Sequence, residues 1–126
     1  MFKNTPAFSS FSVDDLDVAK RFYEDTLGIG SDDGSQGITL KLTGTSGVFV
    51  YAKSDHTPAT FTVLNFAVND VDKAVDELIG KGIVFEQYEG MTDEKGIARS
   101  QSEEHGPDIA WFKDPAGNTI AVMKRL

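Results

Sequence analysis

FSVDDLDVA (Phe11–Ala19) and FAVNDVDKA (Phe66–Ala74) are two versions of one phrase. Phe, Val, Asp, Asp and Ala recur at an offset of 55 residues (11 to 66, 19 to 74), with Asp14 answered by Asn69 and Leu16 by Val71. The agreement runs on to a glycine behind each copy, Gly28 and Gly82, the second copy being one residue shorter. Such a repeat reduces the fold to one supersecondary unit used twice.

Each phrase marks a passage from strand to helix. Ahead of it, AFSSFSV sets Phe8, Ser10 and Ser12 on one face and Ala7, Ser9, Phe11 and Val13 on the other. FTVLNFAV likewise alternates Phe61, Val63, Asn65 and Ala67 against Thr62, Leu64, Phe66 and Val68. Period two is the strand signature. The pairs Asp14–Asp15 and Asn69–Asp70 then supply side-chain oxygens for the orphan amides of a first helical turn, and acidic charge suits that end of the dipole. Leu16, Ala19, Tyr23 and Leu27 fall at helical spacing, as do Val71, Ala74, Val75, Leu78 and Ile79, so each helix carries one apolar stripe. Gly28 and Gly82 stand where a left-handed cap is wanted.

Strands follow each helix. In the first copy they are Gly37–Leu42 and Gly47–Lys53; in the second, Ile83–Tyr88, about Pro107–Lys113, and Asn118–Lys124. Between the last two, Pro115 suits the second position of a type I turn and Gly117 the left-handed residue beyond it. The expected layout is one domain over residues 1–126, with a first module at about 5–54, a linker at about 55–59 and a second module at about 60–126. Glu89 to Gly106 lacks apolar periodicity and reads as a mobile loop.

Composition narrows the function. The sequence has no cysteine, which removes disulfides, thiolate nucleophiles and Cys-based metal sites. Its net charge of −8 opposes nucleic-acid binding and suits a cationic ligand. No stretch approaches the roughly 20 apolar residues of a membrane span. The first ten residues hold no apolar run of signal-peptide length, so a cytoplasmic location is expected.

Two further motifs carry a family resemblance. Val13, Asp15, Leu16, Phe22, Tyr23, Leu27 and Gly28 form the helix-start pattern V-x-D-L…FY…LG, and Phe112, Asp114, Pro115, Gly117 and Asn118 form F-x-D-P-x-G-N. With the repeat, they resemble the vicinal oxygen chelate superfamily over about Ala7 to Lys124. That superfamily includes glyoxalase I, extradiol dioxygenases, methylmalonyl-CoA epimerase, and fosfomycin and bleomycin resistance proteins. The resemblance implies an α+β fold of two tandem βαβββ modules. They would form a cupped, incompletely closed mixed sheet with helices outside, in a homodimer.

Metal-using members draw His, Gln or Glu ligands from the first and last strand of each module. The resemblance places those positions here at Phe8, at Val63, at Phe49 or Tyr51, and at Ala121. Phe, Val and Ala have no donor atom and neutral Tyr is a poor one, so no metal and no cofactor are expected. His56 lies in the linker, where solvent exposure is the default. Glu103, Glu104 and His105 form a polar loop cluster that reads as a solvated patch, as a proton-transfer or ligand-contact site, or as a metal site. No catalytic nucleophile–base pair is evident along the sequence.

The cup-facing positions are Phe8, Ser10, Phe49, Tyr51, Phe61, Val63, Asn65, Ala121 and Met123, with Thr119 near the rim. Trp111 is a further ligand candidate, although alternation does not decide whether it or Phe112 faces inward. This composition suits either a small-molecule pocket or a filled core. The leading expectation is a metal-free protein binding a small organic, cationic or aromatic molecule. Its rivals are a glyoxalase- or dioxygenase-like, metal-dependent lyase, isomerase or oxygenase with displaced ligands, and a dimeric interaction module with a filled cup.

Overall fold

Asp15 and Asp70 cap the two helices through their side chains. The Oδ1 of Asp15 accepts from the Val18 N–H at 3.2 Å, and that of Asp70 from the Lys73 N–H at 3.1 Å. The structure, a computed structural model, describes residues 1–100 and 106–125. It falls into two compact units, Met1–Pro58 and Ala59–Leu126. The first runs β1 (Ser9–Val13), α1 (Leu16–Arg21) continued by a π-helical turn (Phe22–Thr26), β2 (Ser31–Asp33), β3 (Gly37–Leu40) and β4 (Val48–Ala52). The second runs β5 (Thr62–Val68), α2 (Val71–Gly80), β6 (Ile97–Ala98), β7 (Ile109–Lys113) and β8 (Thr119–Lys124).

Each unit forms a four-stranded mixed sheet, in the orders β1-β4-β3-β2 and β5-β8-β7-β6. The topologies are identical, so the fold is α+β with two βαβββ modules. In both, the first strand pairs in parallel with the last, a connection that needs a crossover and receives it from the helix. One face of each sheet is buried. In the first unit it carries Phe11, Val13, Ile38, Leu40, Val48 and Val50, with Ala19 and Tyr23 of the helical segment also in the core. In the second, Ala110, Phe112, Ile120 and Val122 are buried, as are Val71 and Val75 of α2. A side chain as fully buried as Phe112 contributes about 2–3 kcal/mol by leaving water.

The unequal length of the repeats has a local explanation. In the second unit the Ile83 N–H closes the helix on the Leu78 carbonyl at 3.0 Å, with Gly82 left-handed at φ 92°. In the first, the Ile29 N–H closes on the Tyr23 carbonyl at 2.9 Å, with Gly28 at φ 72°. Both carbonyls stand eight residues beyond the capping aspartate (15 to 23, 70 to 78). The extra residue therefore lies after Tyr23. The helix absorbs it as a π turn, in which the Leu27 N–H reaches back five residues to the Phe22 carbonyl at 3.1 Å.

Several expectations need correction. Ile83–Tyr88 is not a strand; it meets β7 through a single Phe85–Phe112 bridge and a 2.8 Å bond from the Glu86 N–H to the Trp111 carbonyl. β6 occupies the rest of that edge, pairing Ile97 with Ala110 and Ala98 with Ile109. Ser31–Asp33 adds an edge strand that the sequence pattern did not signal. Phe8 lies just ahead of β1 rather than within it. The alternation through Phe61–Val68 breaks at a register shift between Thr62 and Leu64, so Thr62 stands opposite Thr119.

Part of the polar stretch read as mobile is tied down. The Arg99 guanidinium grips Asp72 of α2 at 2.6 and 2.8 Å and Asp93 at 2.9 Å, while Lys95 reaches Asp72 and Asp76. Asp93 also accepts the N–H groups of Lys95 and Ile97, both at 2.9 Å. The segment lacks an apolar pattern because charge holds it. Glu103, Glu104 and His105 lie outside the described residues.

Arg99, with Lys95 beside it, holds the Asp72 carboxyl far below the usual carboxylate range. A depressed folded-state pKa adds stability above the unfolded value near 3.9, and that stability is lost as pH falls below it. Melting temperature should therefore drop more steeply between about pH 5 and about pH 2 in the wild type than in Asp72→Asn. The pairs are exposed, so about 1 M salt should narrow the difference.

The β7–β8 turn is closed by two buried polar residues. Asp114 and Asn118 are 4% and 2% exposed. Asp114 Oδ1 accepts from the N–H groups of Ala116 and Asn118 at 3.0 and 2.8 Å, and Oδ2 from the Asn118 amide at 3.0 Å. Asp114→Ala would strand these donors in a water-poor site. Urea unfolding should show a loss of about 3 kcal/mol with an unchanged slope.

Candidate functional site

The face of each sheet opposite its buried layer is open among the described residues. In the first unit β4 supplies its centre. Phe49 and Tyr51, two apart on a strand, share a face. Their rings lie 6.0 Å apart at 18°, stacked and half-buried. Register sets Ser10 and Thr39 on either side of Phe49, and Ser12 and Gly37 on either side of Tyr51. Gly37 is required there. A Cβ at that position would stand 2.2 Å from the Val50 carbonyl oxygen and 3.0 Å from the Phe49 ring. Next to this face a hollow of about 350 Å³ is lined by Ala7, Phe8, Thr39, Ser46 and Phe49. Phe8 is 70% exposed, and the segment ahead of β1 is held by a 3.0 Å bond from the Ser46 hydroxyl to the Ala7 carbonyl.

One contact was missed in the sequence. Ser12 Oγ and His56 Nδ1 lie 2.7 Å apart. His56 was expected to be exposed; it is half-buried against a side chain 44 residues away. Alternation had put Ser12 on this face, but nothing local pointed to its partner.

In the second unit, register sets out three rows on the open face: Asn65–Ala121–Trp111, Ala67–Met123–Ile109 and Thr62–Thr119–Lys113. The orientation of β7, left open by alternation, is settled. Phe112 is fully buried and packs on Phe85 at 5.6 Å, whereas Trp111 meets Tyr88 edge-on at 5.6 Å on the open side. Asn65 is exposed, Met123 and Val63 are half-buried, and Ala121 is buried between Asn65 and Trp111. Phe61 is 68% exposed. Tyr88, Lys113 and Thr119 also border this region. The Lys113–Thr119 pairing could have been found in the sequence, since the two residues flank the Asp114–Asn118 turn.

The arrangement does not fit a divalent metal. Of Phe8, Phe49, Tyr51, Val63 and Ala121, only Tyr51 has a side-chain oxygen. Among the described residues there is no group of three His, Asp or Glu able to hold an ion. Nor is any helix among them long and apolar enough to cross a membrane.

Comparisons with known proteins agree with the fold. Three solved structures share it over nearly the whole chain. One is the antibiotic-binding protein TnmS3 of Streptomyces sp. CB03234, with TM-score 0.68 and 20% identity, covering 100% of this chain and 99% of that one. Another is a lactoylglutathione lyase of Agrobacterium tumefaciens, with TM-score 0.68, 20% identity and coverages of 96% and 93%. A third is a genomically encoded fosfomycin resistance protein of Listeria monocytogenes, with TM-score 0.72, 10% identity and coverages of 95% and 92%. A comparison with curated protein sequences finds no significant match. The family profile matches residues 8–122. With the duplicated βαβββ module and the buried D-P-x-G-N turn, the match places this chain in the Glyoxalase/Bleomycin resistance protein/Dioxygenase superfamily.

Proposed function

We propose that this chain is a metal-free member of its superfamily that binds and sequesters a small aromatic or cationic organic molecule. The observation that carries the reading is the stacked, half-exposed Phe49–Tyr51 pair on an open sheet face. Two parallel aromatic surfaces offer a planar ligand stacking and a cation a π face, while Ser10 and Thr39 offer hydroxyls at the flanks. Phe8 belongs to the same proposed surface, and Phe61, Val63, Asn65, Trp111, Ala121 and Met123 are proposed ligand contacts on the second unit's own open face. Supporting the absence of a metal is the chemistry of the mapped positions, which offer a single neutral phenol where the family's metal-users have imidazole and carboxylate. The antibiotic-binding description of one structural neighbour lends support to sequestration. Homodimerisation and a cytoplasmic location belong to the same proposal.

A catalytic reading has one observation in its favour. The Ser12–His56 pair joins a hydroxyl to an imidazole at 2.7 Å, an arrangement able to move a proton. It predicts turnover of hemithioacetals or catechols that Ser12→Ala abolishes.

The binding reading predicts that protein dialysed against chelator loses no melting temperature and gains none with nickel, zinc, manganese or iron. Antibiotics that carry a planar aromatic group should raise the melting temperature, the bithiazole-bearing glycopeptide bleomycin among them. Tyr51→Ala should weaken the best of them by about tenfold. A stoichiometric metal that survives dialysis, or turnover without saturable binding, would overturn it.

A further inference from the structure

A second aromatic surface in the Ala59–Leu126 unit carries its own charge. A groove of about 240 Å³ is lined by Phe61, Tyr88, Met91, Trp111, Lys113 and Thr119. Its walls are apolar and open: Phe61 is 68% and Met91 58% exposed, and the Trp111 and Tyr88 rings meet at 74°. Such a corner accepts a flat ring against one aromatic face and an edge against the other.

Among the described residues that line it, Lys113 is the one ionisable cation and none is a carboxylate. Trp111 and Lys113 are two apart on β7 and share a face. Lys113 Nζ donates to Thr119 Oγ1 at 2.7 Å, on a threonine only 5% exposed. That bond fixes the ammonium at the end of the aromatic groove and uses one of its three N–H donors. Lys20, Lys41, Lys53, Lys95 and Arg99 all pair with aspartates. Among the described residues no carboxylate lies within ion-pairing distance of Lys113. A positive charge held by a buried hydroxyl, unneutralised beside aromatic rings in a chain of net charge −8, points to a ligand that brings the missing anion.

We infer that this groove binds a small planar aromatic acid, its ring against Trp111 and Tyr88 and its carboxylate or phenolate on Lys113. The inference rests on the proposed binding function and narrows it to an acidic ligand at this surface. The net charge alone suggested a cation; the local charge decides otherwise, because a contact hydrogen bond outweighs a screened long-range field.

The chain has one tryptophan, Trp111, and it lines this groove, so its emission responds to a ligand bound there. Titration with naphthoate, naphthamide and naphthylmethylamine should quench it in that order. Naphthoate should bind about tenfold tighter than the amide. Lys113→Met should remove that preference, so that acid and amide bind alike, and Lys113→Arg should retain it. If the amide or amine binds as tightly as the acid, the inference fails and the binding function stands. If none of the three binds at the groove, the inference fails whatever the Phe49–Tyr51 face does. Emission that shifts with protein concentration alone would show another copy of the chain in the groove, and would also overturn it.

Discussion

The carboxylate of Asp114 is the interaction on which the second unit's open face depends. Buried between β7 and β8, it takes two backbone N–H groups and the Asn118 amide. A carboxylate in so little water is stable only when its lone pairs are met, and the DPAGN turn is the conformation that meets them. That turn fixes the β7–β8 register, placing Trp111 beside Ala121 and Lys113 beside Thr119. β8 in turn sets β5 through their parallel pairing and brings Asn65 to the other side of Ala121. A slip of one residue would send every one of these side chains to the helix-covered face.

The two units show how a repeated scaffold diverges without losing its frame. Capping aspartate, crossover helix, sheet order and left-handed glycine are the same in both. Apart from the longer segment between α2 and β6, two departures are single-residue events. One extra residue in the first helical segment becomes a π turn, and a register shift in β5 replaces Val63 by Thr62 opposite Thr119. Each is absorbed locally because the strands and helix on either side are pinned by burial.

Function differs where the scaffold does not constrain the side chain. The helix-facing layer must be apolar in both units and is. The open faces are free to vary, and each has taken aromatic residues: Phe49 and Tyr51 in one, Trp111 with Tyr88 in the other. Their polar companions differ, Ser12–His56 in the first and Lys113–Thr119 in the second. Donor atoms that a metal would need are replaced by rings and methyl groups at the mapped positions. The polar groups described on these faces are hydroxyls, an amide, an imidazole and the Lys113 ammonium.

The sequence by itself determined the duplication, both helix starts, both helix ends, the β7–β8 turn and the membership of the open face at Ser10, Phe49, Tyr51, Asn65, Ala121 and Met123. These are local properties: period, capping chemistry and turn geometry are written within a few residues. Ile83–Tyr88 misled because the edge of β7 that it would fill is shared with Ile97–Ala98, a competition that no local pattern records. The anchored stretch through Asp93 and Arg99 was illegible because ion pairs have no periodicity. Only tertiary structure decided which of Trp111 and Phe112 faces the open side, that His56 meets Ser12 across 44 residues, and that Lys113 stands beside aromatic rings with no carboxylate partner among the described residues. Each of these depends on which distant strand lies alongside, and pairing between strands is a property of the folded sheet, not of any one segment.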